Sequence, residues 1–515
     1  MVSKGIQIYA GMSGPSFGVS CQVPDESASW TGTANPSGAA SQAGTNQQVE
    51  SSNLPWYTFV GAFNWQALHN GQSVVSGSQE IDSLTGNLDS GSMVNQMNTP
   101  STVASNYAVS YGFYDAGSAV GSPLSNQDQF YCYTTDCYTA WMADLTKALP
   151  QLAAAPFSSF VLPGAHDSGM CTTATASTIL NSPASAAILA AMVLYIPGLG
   201  AVAAVLTETQ GMFAVQNIAI TQKDTISTML ALGIRFFDFR PGYLYGPIQD
   251  DLTTPNVLYH QHAVIPGLAY SAFLSEVFTF LVANPGEIVV VDLNSNGYSN
   301  ISSAMVPTDE QLSTALTSAQ GSVSGASAIA TGGPASLSQT YTSLIASNTR
   351  LIFLNEIDGT ATRNDSYSWP PGSGNSNNVT TNPSVLTNVF QEMLTTPVPA
   401  TFTMLQMQAT ATGLGIGVLA PAVMTESYAS SPVMATKGQF DSVTIPWLAQ
   451  NAGKFPAGQL VVLLNDFAEN LTVSTAISAT AMRVYDQTVS AERAAVSPAV
   501  QNQINAELAN VTRLL

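Results

Sequence analysis

The sequence predicts an α/β fold, a TIM-like (β/α) barrel preceded by a β-rich accessory region. Three observations predict it. From about residue 141 onward, short β-branched runs alternate with helix-like segments. These runs are apolar throughout, as expected of parallel strands buried on both faces. The scarce titratable residues recur at the C-terminal ends of the runs, which is where barrels of this kind place their active sites.

Composition narrows what such a fold can do. At 515 residues the chain exceeds one ordinary domain, and its 45% hydrophobic and 9% aromatic content can bury a large core. Only 12 Lys and Arg stand against 32 Asp and Glu, a net charge of −20. So few cations cannot build the basic stripe that a phosphate backbone requires, which excludes nucleic acid as a partner and also simple electrostatic docking to anionic lipid. Arg235 and Arg240, flanking Asp238, stand out against this background, although a structural ion pair beneath the barrel would use an arginine equally well.

Residues 1–145 form the accessory region, rich in Gly, Ser, Asn and Gln, whose role the sequence does not reveal. Its short aromatic runs at 56–60 and 107–111, bounded by turn residues, read as strands. Lys4 is its single basic residue, so His69 reads as a packed or surface residue. Cys132 and Cys137 have a spacing that suits a small disulfide loop, with no further Cys or His nearby to complete a zinc site. A disulfide implies an oxidising compartment, and sequons at Asn300, Asn364, Asn378, Asn470 and Asn510 fit a secreted glycoprotein. The expectation is an extracellular protein, although no signal peptide is visible at Met1.

Residues 146–515 form the barrel. Its first apolar run, 160–165, delivers His166 and Asp167. An insertion at about 172–212 contains the uncharged segment 186–206, which has the length of a membrane span. Pro197, Gly198 and Gly200, with no basic flanks, favour a helical hairpin over the barrel mouth or a buried insertion, of which an element touching lipid is one form. In 233–240, GIRFFDFR, Asp238 and Arg240 alternate with aromatics and so share one strand face. The run 257–262 ends in His260 and His262, again on one face. A helix over 273–282 and apolar strands at 287–293, 351–356, 402–408 and 460–467 bring the count to six or more strands, which a closed or nearly closed barrel accommodates best. Histidines gathered with Asp and Arg suit general acid and base chemistry near neutral pH.

The order of motifs LPGAHDSG (162–169), IAITQKDTIS leading into GIRFFDFR, VLYHQH (257–262), FLVANPGEIVVVDL (280–293) and LLNDF (463–467) resembles the catalytic X domain of phosphatidylinositol-specific phospholipase C in its bacterial, metal-independent form. The resemblance spans roughly 155–480. It implies a PLC-like phosphodiesterase in which His166 is the general base, oriented by Asp466. Asp167 and Arg240 would stand next around it, Arg240 meeting the phosphoryl oxygens, and Asp238 would serve a second histidine that protonates the leaving group. His260 fits that second position by its Tyr-His segment and His262 by its distance from Asn284-Pro285; Gln261 departs from the glycine usual there. Arg235, Asn355 and Glu356 are candidates for substrate binding, the Asn355-Glu356 pair standing where a basic residue usually grips inositol.

Neither a metal nor a cofactor is expected, because Arg240 fills the space calcium occupies in eukaryotic members. The substrate would be a phospholipid or related phosphodiester, cleaved through a cyclic phosphate, with transient contact at a membrane interface. A glycerophosphodiester phosphodiesterase-like hydrolase and a catalytically silent barrel that binds a surface are the alternatives. Oligomeric state is not legible.

Overall fold

The computed structural model describes residues 5–14, 16–22, 30–33, 43–47, 54–91, 93–116, 124, 127–196, 198–200, 203, 206–252, 257–357, 366–368, 380–409, 416–424, 427–456 and 458–492. Eight strands form one all-parallel sheet: β1 (Val161–Ala165), β2 (Phe236–Phe239), β3 (Val289–Asn294), β4 (Ala330–Gly332), β5 (Thr349–Glu356), β6 (Ser366–Tyr367), β7 (Phe402–Gln406) and β8 (Leu460–Asn465). Their order is β4-β5-β3-β2-β1-β8-β7-β6. Helices intervene, as a parallel sheet requires; Tyr270–Ala283, for example, leads from β2 toward β3. Runs such as Val289-Val290-Val291 are buried completely, since β-branched side chains pack well when both faces are covered.

The sheet is curled. Phe236 on β2 and Phe402 on β7 are three strand spacings apart, roughly 14 Å in a flat sheet, yet their ring centroids lie 5.6 Å apart across the interior. Gly164 of β1 faces the same space, where a Cβ would come within 2.9–3.2 Å of Val462, Leu464 and Phe236. Among the described residues β4 and β6 are the two ends and do not pair, so the barrel is a curled sheet with one open seam.

Two sequence expectations are corrected. Residues 257–262 do not supply a strand of this sheet. Tyr259–His262 instead pairs antiparallel with Ile265–Ala269 and Pro241–Gly242 in a small separate sheet. The reason is the tight turn at Ala263, whose φ of 55° folds the chain back after two residues. Cys132 and Cys137 are both free. Cys132 is completely buried within the strand Asp128–Thr135, while Cys137 lies past the strand end with its Sγ 3.3 Å from Thr139 Oγ1.

The N-terminal region holds two five-stranded sheets that enclose a common core of Ile8, Val19, Phe63, Trp65, Phe113 and Phe130. The run at 56–60 is a turn with exposed Trp56 and Tyr57, and the strand starts only at Val60. Asn470 joins this region to the barrel, its Nδ2 donating to the carbonyls of Ala108 and Tyr133 and to Thr135 Oγ1. It is completely buried, so this sequon cannot carry a glycan in the folded chain; Asn300 is exposed, and Asn364, Asn378 and Asn510 lie outside the described residues.

In the insertion, Ala174–Leu180 and Ser185–Tyr195 form a helix pair bent by 116°; no single helix among the described residues is long and apolar enough to cross a membrane. Ile188, Ala191 and Met192 are buried, while Leu194 is exposed. The pair packs beside the small antiparallel sheet, Thr175 Oγ1 donating to the Gly267 carbonyl at 2.8 Å.

Candidate active site

The C-terminal ends of β1, β2 and β8 converge, and a polar clamp from 221–222 holds them. Gln222 Nε2 donates to the carbonyls of His166 (2.8 Å) and Asn465 (3.1 Å), Ala468 N–H donates to Gln222 Oε1 (2.8 Å), and Thr221 Oγ1 donates to the Asp167 carbonyl (3.0 Å). The sequence shows these two residues in the TQKD segment without indicating a role. Asp167 (φ 43°) and Phe467 (φ 45°) take left-handed conformations next to His166 and Asp466. Such backbone is costly away from glycine and turns these strand ends sharply.

The site then builds around Asp167. Its Oδ1 lies 2.7 Å from Arg240 Nε and 3.3 Å from His260 Nε2; its Oδ2 lies 3.6 Å from His166 Nε2 and 3.8 Å from His262 Nε2. Burial alone would raise this carboxyl, but Arg240 and His166 outweigh burial and hold it well below the usual range. Asp238 Oδ2 accepts from the Asp167 backbone N–H and from Arg240 Nη2, each at 3.1 Å. His166 Nδ1 is 2.7 Å from Asp466 Oδ1.

The two candidate second histidines differ sharply. His260 is fully buried. Its Nδ1 accepts the Arg240 backbone N–H at 3.1 Å, which leaves Nε2 to carry the proton directed at Asp167. Both nitrogens are therefore engaged inside the protein, and burial lowers the proton affinity of the ring. His262 has a side chain 28% exposed and a buried Nδ1 with no hydrogen-bond partner. Burial, only partly opposed by Asp167, takes it down to about 4.

His166 shifts the other way. Burial would lower it, but Asp167 and Asp466 override burial and push it up to about 9. Its Nε2 stands 3.1 Å from Arg240 Nη2, a hydrogen bond only if Nε2 carries no proton. The charge count decides between the two forms: three carboxylates lie within 3.9 Å of the ring nitrogens against one guanidinium, so the protonated ring prevails at neutral pH. His166 and Arg240 thus meet at partly exposed side chains, 19% and 13% exposed, where an anion that came between them would find a donor on each.

His166, Asp167 and Asp238 offer atoms within 4.8 Å of one another, a spacing a cation could bridge. The Arg240 guanidinium lies against both carboxylates and supplies fixed positive charge there, so this set fits a metal poorly.

Two candidate substrate residues lie elsewhere. Arg235 is completely buried at the opposite end of β2, pairing with Glu287 at 2.8 Å, donating to the carbonyls of Leu230, Ile234 and Thr139, and lying over the Phe280 ring. It is a structural residue. Asn355 faces outward, because Leu293 and Phe353, with which it alternates in register, line a cavity of about 500 Å³ between the sheet and helices Tyr270–Ala283 and Asp309–Ser322. Glu356 has the opposite parity and pairs with Asn294, on the face that Asp238 and Asp292 share. Asp292 and Asn294 join them there, Asp292 being a residue to which the sequence assigns no role. The signal was present in a polar pair two residues apart at the end of an apolar strand.

No protein-family model and no curated protein sequence matches the chain. Among solved structures, a phosphatidylinositol-specific phospholipase C from Staphylococcus aureus is similar at 14% identity and a TM-score of 0.38, over 66% of this chain and 97% of that one. The phosphatidylinositol-specific phospholipase C from Listeria monocytogenes is similar at 14% identity and a TM-score of 0.37, over 67% and 98%.

Proposed function

We propose that the chain cleaves a phosphodiester by metal-free acid and base catalysis. One observation carries this reading: His166 and Arg240 meet at 3.1 Å with part of each side chain exposed, and His262 lies across Asp167 from them. Arg240 takes the phosphoryl oxygens with its forked donors. At neutral pH His166 carries a proton and His262 does not. In the first step, therefore, His262 accepts the proton of the attacking hydroxyl and His166 protonates the leaving oxygen, which reverses the roles expected from the sequence. The roles interchange when water opens the product.

Asp466 sustains the charge on His166, and His260 acts as a buried brace between Arg240 and Asp167. Where the substrate carries a hydroxyl next to phosphorus, the product is a cyclic phosphate. A phospholipid headgroup is the substrate class to examine first.

The test uses leaving groups of unlike basicity. If His166 is the acid, His166→Ala loses about 10²–10⁴-fold in kcat on an alkyl diester and far less on a p-nitrophenyl diester, whose leaving group needs no proton. His262→Ala should lose equally on both. Equal losses for His166→Ala on the two substrates would overturn the assignment.

A further inference from the structure

Asp292 has no task in the site as described, yet its surroundings call for one. It lies on β3 beside Asp238 of β2 and Leu354 of β5, 1% exposed. Its Oδ1 is buried without a hydrogen-bond partner, an arrangement that costs stability and that a fourth valine after Val289-Val290-Val291 would avoid. Its Oδ2 accepts from Asn294 Nδ2 at 3.2 Å, and the same Nδ2 donates to Asp238 Oδ1 at 2.6 Å. The Asn296 backbone N–H donates to Asn294 Oδ1 at 3.2 Å, which fixes the orientation of the amide.

We propose that Asp292 is a positioning residue of the candidate site: through the Asn294 amide it fixes the Asp238 carboxylate, and Asp238 in turn fixes the Arg240 guanidinium. Each link uses a group with no slack. Asn294 Nδ2 has two protons, one for each carboxyl; without Asp292 one proton loses its acceptor and the amide is free to turn. Asp238 Oδ1 would then lose its shortest contact and keep only Arg240 Nε at 3.4 Å. The charged groups acting on Asp292 are Glu356 of β5, Asp238 of β2 and Arg240 just beyond β2. Burial first, then Glu356 and Asp238, hold it well above the usual carboxyl range.

Only the turnover arm of the test rests on the function proposed above. Asp292→Asn keeps the shape and an acceptor oxygen; Asp292→Leu removes the acceptor. The chain has four histidines, so His166 can be followed by NMR titration, assigned with the His166→Ala variant. In Asp292→Leu the His166 pKa should rise, because Arg240, which opposes its protonation, is no longer held against it. Turnover of an alkyl diester should fall by up to about a hundredfold, the loss associated with a misplacement near 1 Å. The melting temperature should hold or rise, because a buried acid with one unpartnered oxygen has been replaced by an apolar side chain. Asp292→Asn should match the wild type in all three.

An unchanged His166 titration in Asp292→Leu overturns the proposal, as does unchanged turnover. If Asp292→Leu does not fold, Asn294→Ala must reproduce the His166 shift, and its failure to do so overturns the proposal too. Should the wild type cleave no diester, the functional reading fails, and the titration still decides the role of Asp292.

Discussion

His166 and His262 lie on either side of one carboxylate and yet hold protons with opposite strength, because their partners differ. His166 is pressed by Asp466 and Asp167, whereas His262 has a bare buried nitrogen and one distant carboxylate. The pH dependence follows from the signs. A group that must be protonated loses function as pH rises through its pKa, so His166 sets an alkaline limb near 9. A group that must be neutral loses function as pH falls through its pKa, so His262 sets an acid limb near 4. A pH–rate profile should be flat between these limbs, and Asp466→Asn should move the alkaline limb to lower pH by removing a carboxylate that raises His166. An alkaline limb unmoved by that substitution would contradict the charge account.

The sequence allowed His166, Asp167, Asp238, Arg240 and Asp466 to be grouped, because each ends or follows an apolar run and strand ends converge in a barrel. By its Tyr-His segment the sequence favours His260 over His262 as the second histidine, and it could not show how deeply each is buried. They share a parity, and what separates them is a hairpin that buries one and leaves the other at the surface. It also left Arg235 a candidate for substrate binding, although five residues of strand carry it roughly 16 Å from Arg240.

Among the elements, long apolar strands were readable and short ones were not. β3, β5 and β8 are six to eight residues long, and each holds four or five Val, Leu, Ile or Phe. β4 and β6 have three and two residues, too few to show any period, and only their neighbours define them. The segment carrying His260 and His262 was misplaced because a short apolar run before a histidine looks alike in a barrel strand and in a hairpin. Its packing can be tested at Gly169, where a Cβ would lie 2.2 Å from His260 Cβ. Gly169→Ala should destabilise the fold by about 1–3 kcal/mol and displace His260 from Asp167 and the Arg240 backbone. Thermal melting together with kcat checks this; a variant with wild-type stability and turnover would mean that the hairpin packs more loosely than described.

For the whole molecule, charge is sparse. The Arg235–Glu287 pair lies beneath the sheet, far from the site and without solvent exposure. Arg235→Met leaves Glu287 without its cation and should cost about 3–5 kcal/mol, while turnover per folded molecule stays at the wild-type level. Denaturant unfolding run beside a kinetic assay separates the two effects, and lost turnover at full folding would place Arg235 back in the catalytic account. The N-terminal sheets reach the barrel through Asn470 and the helix Trp141–Ala148, whose Trp141 Nε1 donates to the Gly233 carbonyl at 2.9 Å. The central claim is phosphodiester cleavage between His166, Arg240 and His262 without a metal. Phosphorus NMR of a panel of diesters, phosphatidylinositol included, with EDTA present throughout, tests it most directly. A cyclic phosphate that forms in wild type and not in His166→Ala is the predicted result; no turnover until calcium is added would contradict the role given to Arg240.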